Sequence, residues 1–167
     1  GKSLVLSDFH IGFEEAMNKQ GILVPRFQYK DTIKRLDALF SEIEKRKMKL
    51  EKIILNGDIK HEFGSISRQE WKEIQQLIDY LSAKTREIVI IKGNHDVILE
   101  PILRRRGIKI LKEYRMGSVL VAHGDSVPEI TKEVKTLLIG HEHPAITLRE
   151  GAKVEKYKCF LKGKYKG

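Results

Sequence analysis

The sequence EIVIIKGNHD, residues 87–96, joins a short apolar run to a polar motif. Residues 88–91 are all β-branched, which predicts a strand buried on both faces. The strand ends at Gly93-Asn94-His95-Asp96, whose side chains suit a site better than a core. In open α/β sheets the carboxyl ends of the strands form the edge where ligands bind. This stretch therefore predicts both a buried strand and the position of a site.

The same pattern recurs along the chain. Four further apolar runs end in polar motifs, at residues 3–7, 52–55, 118–122 and 135–139. Helices are predicted at residues 31–48 and 67–81, a third short helix at 101–106, and a hairpin after residue 143. Strands and helices alternate early and strands dominate late, which predicts a layered α/β fold. We expect residues 1–167 to form a single domain.

Every histidine of the chain lies at or just after the end of a predicted strand. The six are His10, His61, His95, His123, His141 and His143. One such residue alone would be interpreted as a surface or core histidine, but six converging on one sheet edge favour a metal centre. Asp8, Asp58, Asn94 and Asp96 are expected at the same edge. Nitrogen and oxygen ligands suit Mn, Fe or Zn, and a single cysteine excludes a cysteine cluster.

The polar motifs occur in a characteristic order: Asp8-x-His10, Gly57-Asp58, Gly93-Asn94-His95-Asp96, His123, and Gly140-His141-Glu142-His143. In this order they resemble the motifs of the calcineurin-like metallophosphoesterases. Four segments are similar to the archaeal SbcD-related phosphoesterases: residues 7–14, 24–28, 140–145 and the lysine-rich 154–164. The bacterial ligase-associated phosphoesterases also resemble this chain. The resemblance implies a layered α/β/β/α sandwich with the metal site at the carboxyl ends of the strands.

The resemblance also implies a centre of two divalent ions. We expect Mn, with Fe, Zn or Ni as alternatives. One ion would be held by Asp8, His10 and His143, the other by Asn94, His123 and His141, and Asp58 would bridge both. A hydroxide shared by the two ions would attack phosphorus directly, without a covalent intermediate.

Further roles follow from the resemblance. His95 would face the substrate, stabilising the phosphate or protonating the leaving oxygen, and Asp96 would orient its imidazole. His61 would also lie near the substrate. Arg26 is a candidate for phosphate binding, with a solvated surface role as the alternative. Glu14 is expected to be structural and not a metal ligand.

The charge distribution leaves the partner open. The chain carries 32 Lys and Arg against 23 Asp and Glu, a net charge of +9. Residues 152–167 contribute six lysines and one acid, which indicates either a solvated basic strand or a contact with a polyanion. We expect a phosphodiesterase acting on DNA or RNA ends or on nucleotides. A phosphomonoesterase and a non-catalytic binding module on the same fold are the alternatives.

Two expectations concern the setting of the domain. Only 24 residues follow His143, so the capping domain of SbcD-type nucleases is missing, and we expect terminal segments of the native chain to be missing too. No apolar run is long enough to span a membrane and no signal-peptide pattern is present, so we expect a cytoplasmic enzyme without a membrane partner. The sequence does not indicate an oligomeric state.

Overall fold

A parallel sheet lies at the centre of the protein, whose computed structural model describes residues 2–164. Its four strands lie in the order β1-β2-β3-β4, and each is parallel to its neighbour. The strands are β1 (Lys2–Leu6), β2 (Leu50–Asn56), β3 (Glu87–Ile91) and β4 (Ile110–Leu111). The apolar ends of the two central strands, β2 and β3, are buried, as their β-branched composition predicts.

A second sheet and a separate hairpin follow in the chain. The sheet has the order β5-β6-β7, with β5 antiparallel and β7 parallel to β6. Its strands are β5 (Glu113–Met116), β6 (Val119–Ala122) and β7 (Thr136–Leu138). The predicted hairpin after His143 is confirmed, with antiparallel strands β8 (Ala145–Glu150) and β9 (Lys153–Lys158). The lysine-rich end runs on to residue 167, and residues 165–167, with Lys166, lie outside the described residues.

Helices form a separate layer. They are α1 (Phe13–Lys19), α2 (Gln28–Lys45), α3 (Arg68–Ser82) and α4 (Glu100–Arg104). The capping box predicted at the start of α3 is present, because Ser67 and Glu70 each accept a hydrogen bond from the other's backbone N–H. No helix between residues 2 and 164 combines the length and apolar character needed to cross a membrane.

Alternate residues of the parallel sheet face two different layers. Ile53 and Leu55 lie in one core cluster with residues of α2, α3 and α4. Ile54 and Val89 lie in a second cluster with Val121 of the other sheet. This alternation follows from the two-residue period of a strand. The layered α/β class is therefore confirmed, with helices on one face of the parallel sheet and the second sheet on the other.

Local structure departs from the sequence predictions in a few places. The patterns did not predict α1, β4 and β5, which have seven, two and four residues and are too short to show a period. Helix α2 begins at Gln28 and not at residue 31. The cause is the Glu14 carboxylate, which accepts hydrogen bonds from the backbone N–H groups of Phe27 and Gln28 at 3.0 and 2.9 Å. A cap supplied from so far along the chain leaves no local signal.

Candidate metal centre

The loops that follow the strands are tied to one another by backbone hydrogen bonds. The N–H of Asp8 donates to the carbonyl of Gly57 at 3.1 Å, and the N–H of His10 donates to that of Asp58 at 2.9 Å. In the second sheet, the N–H of Gly140 donates to the carbonyl of His123 at 2.8 Å. The polar motifs of distant segments therefore meet at the carboxyl ends of the strands, where the sequence predicts the site.

Backbone strain marks the same loops. Five of the predicted metal ligands have positive φ angles between 42° and 65° although none is glycine: Asp8, His10, Asp58, His141 and His143. Residues other than glycine adopt this region at a cost of about 1–3 kcal/mol, and such strain concentrates at functional sites. These positive φ angles therefore mark the loops that carry the predicted ligands.

The side chains of the predicted ligands form two adjacent groups. In the first, donor atoms of Asp8, His10 and His143 lie within 4.8 Å of one another. In the second, the same holds for Asp58, His123 and His141. Asn94 adjoins the second group, since its Oδ1 lies 3.3 Å from His123 Nε2. All seven residues are thus brought together as the sequence predicts, and their nitrogen and oxygen donors fit two divalent cations.

Asp58 lies between the two groups. Its Oδ1 accepts a hydrogen bond from the backbone N–H of His95 at 3.1 Å. Its Oδ2 lies 3.2 Å from Nε2 of His123 and 3.7 Å from Nε2 of His10. One oxygen is thus held by the backbone while the other faces imidazoles of both groups. This is the arrangement that a bridging carboxylate requires.

Burial and close charges shift the pKa values of the cluster. Burial alone would raise the pKa of Asp58, but hydrogen bonds from His123 and from the His95 backbone hold it below its usual value. Burial alone would lower the pKa of His123, but its hydrogen bonds to Asp58 and the Asn56 carbonyl raise it to about 9. Burial, together with the other imidazoles, lowers the pKa of His10 to about 4. Hydrogen bonding therefore favours the charged forms of both Asp58 and His123.

Asn56 orients His123, a role that the sequence analysis missed. The backbone carbonyl of Asn56 accepts a hydrogen bond from His123 Nδ1 at 2.9 Å, which leaves Nε2 directed at Asp58. The Asn56 side chain donates to the carbonyl of Ala122 at 2.9 Å and so joins β2 to the end of β6. A carbonyl that fixes the histidine tautomer is a common support for metal ligands. The only sequence signal for this role is that Asn56, an amide residue, ends an apolar strand.

His95 is held in a similar way. Its Nδ1 donates to the backbone carbonyl of His61, and its Nε2 lies 3.9 Å from Asp58 Oδ2. The exposed ring of Phe63 lies against the imidazole, with ring centroids 3.6 Å apart. The His61 ring stacks on His95 at 5.7 Å and lies 5.5 Å from the His10 ring. His61 and His95 therefore adjoin the donor groups, and donor atoms of His10, His61 and His95 also lie within 4.8 Å of one another.

The expected contact of Asp96 with His95 is corrected by the structure. The Oδ1 atom of Asp96 accepts hydrogen bonds from the backbone N–H groups of Ile59 and Lys60 at 2.9 and 3.3 Å. Its Oδ2 accepts one from Gly93 at 3.0 Å. Burial raises the pKa of this carboxyl. Asp96 therefore joins the loops after β2 and β3, because three N–H groups of those loops have no other acceptor there, and the His61 carbonyl orients the His95 ring instead.

Glu70 holds the loop that contains His61 and Glu62. It is fully buried, and its Oε1 accepts hydrogen bonds from the backbone N–H groups of His61 and Glu62 at 3.1 and 3.2 Å. Its Oε2 accepts from the Ser67 N–H at 3.1 Å. Glu70 thus fixes the peptide whose carbonyl holds His95. The capping box signals Glu70 in the sequence, but only as a helix cap.

The segment before α2 is organised by side chains other than metal ligands. Glu14 caps α2, which confirms its structural role. The Gln28 amide donates to the carbonyls of Phe9 and His10 at 3.2 and 2.8 Å and so supports the first metal motif. The Arg26 guanidinium forms an ion pair with Glu15 at 2.6 Å. Phosphate binding by Arg26 would have to compete with this pair and stays a prediction.

Two open cavities adjoin different members of the donor groups. One, of about 370 Å³, is lined by Asn94 and His123 together with the exposed Lys92 and Lys112. The other, of about 500 Å³, lies between β1 and α2 and has Asp8 in its wall. The cluster therefore adjoins two separate spaces with room for a substrate group.

Gly93 is required because a side chain would collide with Asp58. A methyl group there would overlap the carboxylate and the backbone nitrogen of Asp58. We expect Gly93→Ala to displace Asp58, reduce bound metal to at most one ion per chain and cost about 1–3 kcal/mol of stability. Metal analysis and thermal unfolding measure both effects. Gly163→Ala is the matched control, because a methyl group there would meet no other described residue within 4 Å, its two chain neighbours apart. Two bound ions and an unchanged Tm in Gly93→Ala would contradict this assignment.

Comparisons with known proteins identify the family of the chain and a similar fold. Residues 1–160 match the family model for calcineurin-like phosphoesterases, and the chain belongs to that family. Among solved structures, a nuclease MPE from Pseudomonas putida has a similar fold, with a TM-score of 0.60 and 22% sequence identity. The alignment covers 88% of this chain and 64% of that nuclease, so the chain spans less than two thirds of its length. A search of curated proteins finds no significant match.

Proposed function

We propose that the protein is a metal-dependent phosphodiesterase that hydrolyses nucleic-acid or nucleotide phosphodiester bonds. The family and the two donor groups support a metal-dependent phosphoesterase. The observation that favours a diester is the pair of cavities, one beside Asp8 and one beside Asn94 and His123. A diester carries an organic group on each side of phosphorus, whereas a monoester needs room for one. The similar fold of a nuclease is compatible with this assignment.

The residues of the site have separable roles in this proposal. Asp8, His10 and His143 would hold one divalent cation, Asn94, His123 and His141 the other, and Asp58 both. Two such cations supply Lewis acidity toward the phosphoryl oxygen and the attacking water. We propose Mn²⁺, with Fe, Zn or Ni as alternatives.

The imidazoles outside the two ligand sets act on the substrate. His95 presents Nε2 toward Asp58, on the side where the phosphate would bind, and the His61 carbonyl keeps the proton on Nδ1. From this position a protonated His95 can donate from Nε2 to the leaving oxygen or to a phosphoryl oxygen. His61 lies beside it and would contact the same phosphate group. Asp96 acts only by positioning the two loops.

The test compares a diester with the matching monoester. Protein loaded with Mn²⁺ is expected to hydrolyse bis(p-nitrophenyl) phosphate with a higher kcat/KM than p-nitrophenyl phosphate, and removal of metal by a chelator is expected to abolish both reactions. His95→Ala is the control for contaminating phosphatases. Preference for the monoester would replace the proposal with a phosphomonoesterase. Absence of bound metal and of hydrolysis after Mn²⁺ loading would favour a binding module.

A further inference from the structure

The hairpin β8–β9 has two faces of different composition. One face carries three cross-strand pairs, which are Ala145 with Lys158, Thr147 with Lys156 and Arg149 with Val154. This face carries three positive charges and no acid, and Arg149, Lys156 and Lys158 are all exposed. Arg149, Lys156 and Lys158 are called the cationic face below.

The opposite face carries every acid of the hairpin. Its residues are Ile146, Leu148, Glu150, Lys153, Glu155 and Tyr157. The one cation of this face is paired within it, since Lys153 Nζ lies 3.0 Å from Glu155 Oε1, and the Tyr157 hydroxyl donates to the same carboxylate at 2.9 Å. The residues of the cationic face, in contrast, form no ion pair with any other described residue. A strand that only needs lysines to protect its edge has no reason to segregate its charges by face.

The cationic face begins at the metal centre. Strand β8 starts two residues after His143, and the N–H of Cys159 donates to the carbonyl of Pro144 at 3.0 Å, which fixes the base of the hairpin beside that ligand. Lys158 lines the cavity that has Asp8 in its wall, and Arg35 of α2 lines the same cavity. Lys156 and then Arg149 follow along the hairpin. Lys156 and Lys158 lie two residues apart on β9, about 6.6 Å along the strand. Arg149 pairs with Val154 and so lies on the neighbouring strand, one such step farther from the site.

We propose that the cationic face binds the phosphates of a single-stranded nucleic acid and guides that strand to the metal centre. This inference rests on the proposed function and names its substrate class. A narrow track of cations on two paired strands can follow one sugar–phosphate backbone, and lysine and arginine gain from counterion release on phosphates. Phe160, two residues beyond Lys158, is fully exposed and offers a surface on which an unpaired base can stack.

The experiment uses two substitutions with the same charge change on opposite faces of β9. Lys156→Gln removes a cation from the cationic face, whereas Lys153→Gln removes one from the other face. Binding of fluorescein-labelled single-stranded oligothymidylate is measured by anisotropy over a salt series. Both variants are made in metal-loaded His95→Ala protein, in which slow turnover protects the probe. Circular dichroism checks that both variants keep their structure.

We expect Lys156→Gln to weaken oligothymidylate binding about threefold at 0.1 M salt, because one phosphate contact is lost. The double variant with Lys156→Gln and Arg149→Gln loses two contacts and should bind about tenfold more weakly. The slope of log K against log salt should fall in magnitude by about 0.7 for each contact. Lys153→Gln should change Kd by less than twofold. Equal effects of Lys156→Gln and Lys153→Gln, or no effect of either, would overturn the proposal, because the charge would then act without regard to the face.

The failure of this inference is distinguishable from failure of the proposed function. If the unmodified protein hydrolyses bis(p-nitrophenyl) phosphate but the two faces do not differ in oligothymidylate binding, the function stands and the inference is wrong. If the faces differ but neither small ester is hydrolysed, the nucleic-acid surface is supported and the catalytic proposal is wrong. The binding measurement needs no turnover, so each result is informative by itself.

Discussion

Replacement of Asp58 by asparagine is expected to abolish the binding of both metal ions, and hydrolysis with it. The Oδ2 atom of Asp58 faces Nε2 of His123 at 3.2 Å and Nε2 of His10 at 3.7 Å, so one oxygen serves both donor groups. An amide has the same shape but no charge to offer two cations. Breaking a buried charge pair costs about 3–5 kcal/mol, which corresponds to at least about a hundredfold loss of affinity.

Metal content and titration together test the Asp58 prediction. Elemental analysis should find no bound ion in Asp58→Asn, whereas Asp125→Asn, the same change at an exposed acid two residues after His123, should retain both. In the metal-free variant, NMR should show the pKa of His123 falling from about 9, since the negative charge of Asp58 that helps to raise it is lost. Retention of both ions by Asp58→Asn would contradict the bridging role.

Replacement of His95 by alanine is expected to leave both ions bound while lowering kcat by about 10²–10⁴-fold. His95 belongs to neither of the two groups that contain Asp8 and Asp58, although its Nε2 lies 3.9 Å from Asp58 Oδ2. The loss should appear in kcat because the imidazole acts on the reacting phosphate and not on distant parts of the substrate. Loss of metal from His95→Ala would identify His95 as a ligand instead.

The leaving group separates the two roles open to His95. Hydrolysis of a dinucleotide releases a nucleoside alkoxide, which needs a proton. Hydrolysis of the p-nitrophenyl ester of thymidine monophosphate releases p-nitrophenolate, which is stable without one. If His95 is the general acid, His95→Ala should lose much less rate with the nitrophenyl ester than with the dinucleotide. Equal losses would assign His95 to stabilisation of the phosphate. Unchanged kcat with both substrates would contradict a catalytic role.

The positions of the proposed metal ligands are predictable from the sequence for a simple reason. Each lies in a loop that follows a short apolar strand, and parallel strands end at a common edge. Strand β3 is predicted with its observed bounds, Glu87–Ile91, and the histidines after it and after β6 reach the same cluster. The start of α3 is also predictable, because Ser67 and Glu70 lie three residues apart in the chain.

The supporting carboxylates were less predictable. Asp96, Glu70 and Glu14 all accept hydrogen bonds from backbone N–H groups of other segments. In the sequence, an acid that accepts hydrogen bonds from the backbone cannot be distinguished from an acid that binds a metal or orients a substrate group. The partner of Asp96 was therefore predicted incorrectly, and the start of α2 was predicted three residues late.

The sequence by itself determined the layered α/β class and the order of the site motifs, because burial of β-branched runs and the period of helices are local properties. The tertiary structure alone decided which atoms meet. It directs Asp58 Oδ2 to both donor groups, assigns the His61 carbonyl and not Asp96 to His95, and sorts the charges of the hairpin by face. These arrangements depend on hydrogen bonds and strand pairing between segments far apart in the chain, and no local pattern records which partner a polar group will find.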